Sequence, residues 1–296
     1  MTTHSRGICA LLVILALQSF GPSSAMAETA SAGNPLIFYS DFEPGPNGFD
    51  RWGISGNAPS VTTEVARAGK HAMKTVLNRR TSRTSYRTEV TSSAALDVIP
   101  GHEYWYGFSI YLPHDYVPDP IWEIVAQWHS SPDNQQEHRN APNPPLALFT
   151  HDGEWSVSVL WDAKPITDKK VGYDGNRTYS LGKYATGRWT DWVFRVKWSH
   201  KSDGLLQVWK DGELVVDYKG PIGYNDQKGP YFKIGLYKGW KDRTDPPGVV
   251  SERVLYHDEV RIAGPGGRYE DVAPGGKKPT TTLPRPAAPT GIRFED

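Results

Sequence analysis

The sequence has little cysteine: its single cysteine is Cys9, so no cysteine follows residue 27. Disulfides, thiol catalysis and thiolate metal sites are therefore excluded beyond that point, and stability must come from a packed core. An excess of positive charge is also missing, because 33 basic residues balance 33 acidic ones. This balance is not typical of a nucleic-acid-binding protein. Long helical periodicity is absent as well, which disfavours a helical fold.

A short apolar run at residues 8–17 follows Arg6 and precedes small residues that end in Ala25-Met26-Ala27. This pattern is typical of a cleavable secretory signal peptide, and the run is too short to span a membrane. We therefore predict a signal peptide at residues 1–27 and a periplasmic or secreted protein without a membrane anchor.

Short apolar alternations separated by Gly, Pro, Asn and Asp fill residues 35–262, as expected of an all-β sandwich in one domain. Asp211-Gly212 is a hairpin signal between two of these alternations. We predict a domain at residues 28–262 and, from its Gly- and Pro-rich composition, a disordered tail at 263–296. The clearest strands are predicted at residues 37–42, 104–111, 155–161, 192–198, 205–209, 214–218 and 254–262.

Two long connections are predicted, at residues 130–145 and 162–188. Loops of this length inside a compact domain are often functional. The second carries several lysines and arginines, and the first contains His138 and Arg139. As a group, these basic segments suggest walls of a binding site for an anionic polymer.

Polar residues alternate with apolar ones in three segments that are far apart in the chain, residues 86–90, 127–129 and 231–237. Because strand side chains alternate between two faces, each segment predicts one face for a core and one for a ligand. In the third segment, Phe232, Ile234 and Leu236 form the apolar face.

The polar faces together offer groups for proton abstraction next to a carboxylate. Arg87 can bind that carboxylate bidentately, and Gln127 can add a neutral donor. His129 has the ordinary pKa of a general base near neutral pH, and Tyr237 can protonate a leaving oxygen. Glu89 is expected to hold the Arg87 guanidinium in place. These roles describe β-elimination on a uronic acid polymer, which requires no organic cofactor or metal.

The segments Arg87-Thr88-Glu89-Val90, Gln127-Trp128-His129 and the run at 231–237 resemble the R-[ST]-E-L, Q-[IV]-H and Y-F-K-A-G-x-Y motifs of jelly-roll alginate lyases. Residues 38–262 resemble more closely the heparin lyase I-like and glucuronan lyase-like polysaccharide lyases. The resemblance implies a concanavalin A-like β-jelly-roll sandwich of two antiparallel sheets.

The resemblance also implies roles for individual residues. Arg87 and Gln127 would neutralise the substrate carboxylate, His129 would be the base and Tyr237 the acid, although in some members the tyrosine serves as both. Glu89, Tyr231 and Lys233 would contribute to substrate binding. Heparin lyase relatives can bind calcium, so the resemblance also allows a calcium ion in this protein. No loop of alternating carboxylates marks a calcium site in the sequence.

Two departures from the alginate-lyase pattern, at Thr91 and at Lys238-Gly239, are interpreted as changes at substrate-contacting positions and disfavour alginate. We therefore predict a monomeric lyase that acts on an acidic polysaccharide, with glucuronan or a related glucuronate polymer as the first choice. A non-catalytic carbohydrate-binding module is the alternative, with sugar-stacking platforms among Trp128, Trp155, Trp161 and Trp240. A glycosidase is disfavoured because no E-x-D-x-x-E run is present.

Overall fold

The computed structural model describes residue 1 and residues 35–82, 86–92, 98–240 and 248–276. Apart from Met1, the predicted signal peptide at 1–27 lies outside the described residues, as do residues 277–296 of the predicted tail. Within the described ranges, no helix is long and apolar enough to cross a membrane.

Short strands make up most of the fold, together with two short α-helices, α1 (Gln135–Arg139) and α2 (Tyr269–Val272), and a 3-10 turn at Phe49–Arg51. In chain order the strands are β1 (Leu36–Ser40), β2 (Trp52–Gly56), β3 (Ser60–Thr62), β4 (Ala72–Asn78), β5 (Arg87–Ser92), β6 (Glu103–Leu112), β7 (Glu123–Ser131), β8 (Leu146–His151), β9 (Glu154–Asp162), β10 (Gly175–Lys183), β11 (Arg188–Lys197), β12 (Leu205–Lys210), β13 (Glu213–Lys219), β14 (Gly223–Tyr224), β15 (Lys228–Lys238) and β16 (Glu252–Ala263).

Two eight-stranded sheets form from these strands. The first sheet has the order β13-β12-β11-β6-β16-β4-β3, with β1 paired to β16. The second sheet has the order β10-β9-β8-β7-β15-β5-β2, with the two-residue β14 parallel to β9. The other strand pairs in the described part of the chain are antiparallel. The predicted all-β sandwich of two antiparallel sheets is thus confirmed.

The core between the sheets is aromatic. Trp128 of β7 packs against Phe232 of β15, with ring centroids 5.0 Å apart, and against Phe194 of the first sheet at 4.7 Å. Phe232, Ile234 and Leu236 are all at most 2% exposed. The alternation read from the sequence therefore predicts the inner face of β15 correctly, and residues at intervening positions face away from the core.

The predicted hairpin at Asp211-Gly212 is confirmed, since these residues join β12 to β13. Both have positive φ, 51° and 85°, as a two-residue type I′ turn requires. The connection predicted at 162–188 is only partly a loop, because β10 lies within it as an edge strand. Its polar side chains are mostly exposed, so the apolar alternation that predicts strands is missing there.

The predicted end of the domain at residue 262 is too early. Val272 of α2 is fully buried in a second, smaller cluster that includes Trp105 and Val193 of the first sheet. The Arg261 guanidinium donates hydrogen bonds to the carbonyl oxygens of Ala273 and Gly276. Residues 264–276 are therefore part of the folded domain, held by apolar packing around Val272 and by one buried cation.

Candidate active site

The three segments singled out in the sequence lie on neighbouring strands, because β15 pairs with β7 on one side and with β5 on the other. Tyr231 lies opposite His129 of β7, and Tyr237 lies opposite Arg87 of β5. The outer face of the second sheet therefore collects the predicted site residues from three distant parts of the chain.

A buried polar cluster lies in the middle of this face. Lys233 Nζ lies 2.8 Å from Glu89 Oε2, and Gln127 Nε2 donates to Glu89 Oε1. Lys233 also donates to Ser55 Oγ at 3.3 Å. Glu89, Gln127 and Lys233 are each at most 3% exposed. The ion pair between Glu89 and Lys233 is therefore shielded from water, and it holds the three strands together at their middle.

The prediction that Glu89 holds the Arg87 guanidinium is wrong, because Glu89 pairs with Lys233 instead. Lys233 is also buried, at 3% exposure, so it cannot contact a substrate directly. Glu89 and Lys233 therefore stabilise the strands that carry the site. Their alternation with Arg87 and Tyr231 places them on the correct face, but the partners come from neighbouring strands.

Arg87 is left available to a ligand. Its guanidinium lies 4.7 Å from the centroid of the Tyr237 ring, and its Nε is buried without a hydrogen-bond partner. Among the described residues, no carboxylate lies within ion-pair distance of it. Gly56 makes room for the side chain, since a Cβ at Gly56 would lie 2.4 Å from Arg87 Cγ. The site thus offers a planar cation suited to a carboxylate.

His129 is neutral over most of the pH range. Burial lowers the pKa of His129 to about 4, and the charges of Lys233 and Arg87 act in the same direction. Its Nδ1 lies 3.1 Å from the Ser130 carbonyl oxygen, which can only accept a hydrogen bond. Nδ1 must therefore carry the proton, and Nε2 keeps a lone pair available to accept one.

Tyr231 packs beside His129, with ring centroids 5.3 Å apart. Burial raises the pKa of Tyr231 to about 12, and the charge of Glu89 adds to this rise. The positive charge of Arg87 opposes it, and the same charge also acts on His129. Arg87 therefore lies close enough to influence both rings, and Tyr231 keeps its proton at neutral pH.

Gly235 brings β15 and β5 close together. Its φ is +137°, and a Cβ there would lie 2.2 Å from the Thr88 carbonyl oxygen. The glycine of this motif is thus a packing requirement, because any larger residue would push apart the two strands that carry Arg87 and Tyr237.

The side chain of Lys238 lies in the interior and not on the ligand-facing surface, contrary to the interpretation of its position in the sequence. It is fully buried, and its Nζ lies 2.6 Å from Glu123 Oε1 and 3.2 Å from Asp119 Oδ1. Arg253 joins the same cluster through Glu123. Thr91 is also buried, at 5% exposure. These two departures therefore say little about which polymer is bound.

Of the tryptophans proposed as sugar platforms, Trp128, Trp155 and Trp240 are at most 4% exposed and belong to the core. Trp122, which was not singled out, is the exposed one at 39%. Its ring meets that of Tyr237 edge to face, with centroids 5.5 Å apart and an interplanar angle of 89°. Its position directly before β7 was the available signal in the sequence.

A group of carboxylates lies at the other end of β7 and β15. The side chains of Asp133, Glu137 and Asp226 place ligand oxygens within 4.8 Å of one another. Burial, with Glu137 and Asp133 nearby, raises the pKa of Asp226 to about 7. Glu137 already accepts hydrogen bonds from the backbone of Thr167 and Asp133. Oxygen donors of this kind suit calcium.

A family model described as "Polysaccharide lyase" matches residues 43–261. The chain belongs to the polysaccharide lyase family. It is therefore a polysaccharide lyase. No curated protein sequence matches this lyase.

The solved structures that resemble this lyase in fold include two other polysaccharide lyases. An endo-β-1,4-glucuronan lyase from the fungus Trichoderma reesei has 20% sequence identity and a TM-score of 0.66, over 82% of this chain and 100% of the fungal one. An alginate lyase from Aplysia kurodai has 11% identity and a TM-score of 0.55, over 78% and 99% of the two chains. These likenesses confirm the predicted jelly-roll fold.

Proposed function

We propose that this lyase cleaves a glucuronate-containing polysaccharide by β-elimination, with glucuronan as the first candidate. The observation that carries the proposal is one shared face holding the available Arg87 guanidinium, the neutral His129 and the Tyr237 hydroxyl. The fungal neighbour, an endo-β-1,4-glucuronan lyase, matches the fold over its whole length and makes glucuronan the first polymer to test.

Arg87 binds the carboxylate of the uronate to be cleaved. Removing a proton from C5 adds negative charge next to this carboxylate, so a bidentate cation stabilises the charge as it develops. Gln127 uses one amide hydrogen on Glu89 and has a second one to offer to the substrate.

His129 and Tyr237 exchange the protons. Nε2 of His129 takes the C5 proton, the electron pair forms the C4=C5 double bond, and the bond from C4 to the glycosidic oxygen breaks. The Tyr237 hydroxyl protonates that oxygen as it leaves. One proton is gained and one is given away, so exchange with water restores the imidazole and the phenol.

Further expectations concern export, oligomeric state and cofactors. The signal peptide at 1–27 would export the protein to where acidic polysaccharides occur, and the enzyme would act as a monomer. The elimination uses no organic cofactor and no metal. A calcium ion, if one is bound, would be held by Asp133, Glu137 and Asp226, where it would neutralise clustered negative charge.

The experiment follows the ultraviolet absorbance of the unsaturated product in mixtures of the enzyme with glucuronan, alginate, heparin, heparan sulfate, hyaluronan or pectate. We expect a rise with glucuronan. His129→Ala and Tyr237→Phe should each lower kcat by about 10²–10⁴-fold, the usual contribution of an acid or base. Tyr111→Phe, on the first sheet, is the matched control and should keep full activity. A rise with another polymer alone would overturn the substrate, and active His129→Ala enzyme would overturn the mechanism.

A further inference from the structure

Trp122 is the exposed member of the 11 tryptophans in the chain. It stands immediately before β7, and 39% of its surface is open to solvent. An exposed indole offers a large, rigid apolar face with a polar N–H, which suits it for contact with a ligand.

The position of Trp122 is fixed from two sides. The backbone N–H of Gly239 donates to the Trp122 carbonyl oxygen at 3.0 Å, and a Cβ at Gly239 would lie 2.4 Å from the indole ring. The neighbours in sequence are anchored as well, because the Ile121 carbonyl and the Glu123 carboxylate both accept hydrogen bonds from Lys238 Nζ. The indole is therefore preorganised, which lowers the entropy cost of binding.

Trp122 belongs to a row of groups that crosses the strands of the second sheet. Arg87 on β5 lies over Tyr237 on β15, the Tyr237 ring meets Trp122, and Trp122 meets Phe149 of β8 with centroids 6.1 Å apart. Neighbouring strands lie about 4.8 Å apart, so the row from β5 to β8 spans about 14 Å. A polymer crossing the strands would meet the cation and then the aromatic rings.

We propose that Trp122 is a stacking platform for a sugar ring of the substrate, next to the uronate whose carboxylate Arg87 binds. The inference rests on the proposed lyase reaction, and it adds a binding residue that takes no part in proton transfer. The Trp122 indole would cover the apolar C–H face of the sugar, while the neighbouring Tyr237 would protonate the glycosidic oxygen.

Trp122→Ala and Trp122→Phe test the platform with the polymer that the wild-type enzyme cleaves. An aromatic contact contributes about 0.5–1.5 kcal/mol, so KM for Trp122→Ala should rise about 2- to 12-fold while kcat stays within about twofold. KM for Trp122→Phe should lie between the values for the wild type and Trp122→Ala. Trp189→Ala, a half-buried tryptophan on β11 of the first sheet, is the matched control and should leave KM unchanged.

An unchanged KM for Trp122→Ala would overturn the platform, and so would a fall in kcat alone, because Trp122 would then act only by holding Tyr237. Binding is measured separately by electrophoresis in gels that contain each acidic polysaccharide, with Tyr237→Phe as the background. Weaker retardation after Trp122→Ala supports the platform even if no polymer is cleaved. Equal retardation, or none in either protein, overturns it.

Discussion

Replacing Glu89 by Gln should destabilise the fold by about 3–5 kcal/mol, the usual cost of removing one partner from a buried ion pair. Glu89 and Lys233 have side chains only 2% and 3% exposed, so water cannot replace the lost contact. The loss of stability has an upper limit of about 4.6 kcal/mol, because Lys233 can instead fold in its neutral form. Deprotonating a lysine with a reference pKa of about 10.4 at pH 7 costs that amount. This is a large part of the about 5–15 kcal/mol that stabilises a typical domain.

The assay is urea unfolding, monitored by tryptophan fluorescence. It compares the wild type, Glu89→Gln, Lys233→Met and the double variant Glu89→Gln/Lys233→Met. The double variant removes both charges and should lie much closer to the wild type than the sum of the single losses. If the lysine of Glu89→Gln folds in its neutral form, the variant should regain about 1.4 kcal/mol per pH unit as the pH rises. Glu103→Gln, which breaks a partly exposed pair with Arg195, is the control and should cost at most about 1 kcal/mol.

Two results would refute this reasoning. A loss below about 1 kcal/mol for Glu89→Gln would mean that the pair is hydrated in solution. Additive losses in the double variant would mean that Glu89 and Lys233 act independently, and the centre of the site would then not be held by their contact.

Gly235→Ala should lower the unfolding temperature more than Gly45→Ala does. The φ angle is similar at both glycines, but only Gly235 has a backbone oxygen 2.2 Å from the new Cβ. Equal shifts would mean that close contact between β15 and β5 does not require this glycine. The acidic limb of kcat/KM should fall near pH 4, since neutral His129 is the proposed base and protonation removes it. A limb near pH 6.5 would contradict the lowered pKa of His129. Val272→Asp should cost about 3 kcal/mol or more in urea unfolding, because it places a charge in an apolar cluster; a neutral effect would restore the prediction of a disordered tail.

The sequence predicted the faces of the site strands because strand alternation is a local property. Phe232, Ile234 and Leu236 lie in the core as expected, and the alternate positions of β15 face outwards. The same rule also places Lys238 on the core face, two residues after Leu236. Its charge argued for a surface position, and the buried carboxylates that accept it lie more than 100 residues away in the chain.

Pairing between distant strands could not be predicted in this way. Alternation puts Arg87 and Glu89 on one face, but it does not determine which strand supplies the partner of either residue. The register of β15 places Lys233 beside Thr91 and Gln127, within reach of Glu89. The ion pair therefore follows from strand order and register, which a single sequence does not contain.

The end of the domain was missed for a related reason. Composition after residue 263 is rich in Gly and Pro, and it predicted disorder. Val272, Tyr269 and the buried Arg261 guanidinium hold the segment against the first sheet. The few residues that anchor this segment do not change its average composition, which was the basis for predicting disorder.

The pairing of Glu89 with Lys233 also determines how the site responds to its substrate. Since Lys233 is neutralised by Glu89, Arg87 is a cation on this face that a substrate carboxylate can meet. The charge of Arg87 also lowers the pKa of His129. In the proposed reaction a carboxylate bound to Arg87 would offset that charge, so the pKa of His129 would rise on substrate binding and the imidazole would become a stronger base. The proposed mechanism thus couples substrate binding to the basicity of His129 through one guanidinium, and a neutral polymer of the same shape would gain neither.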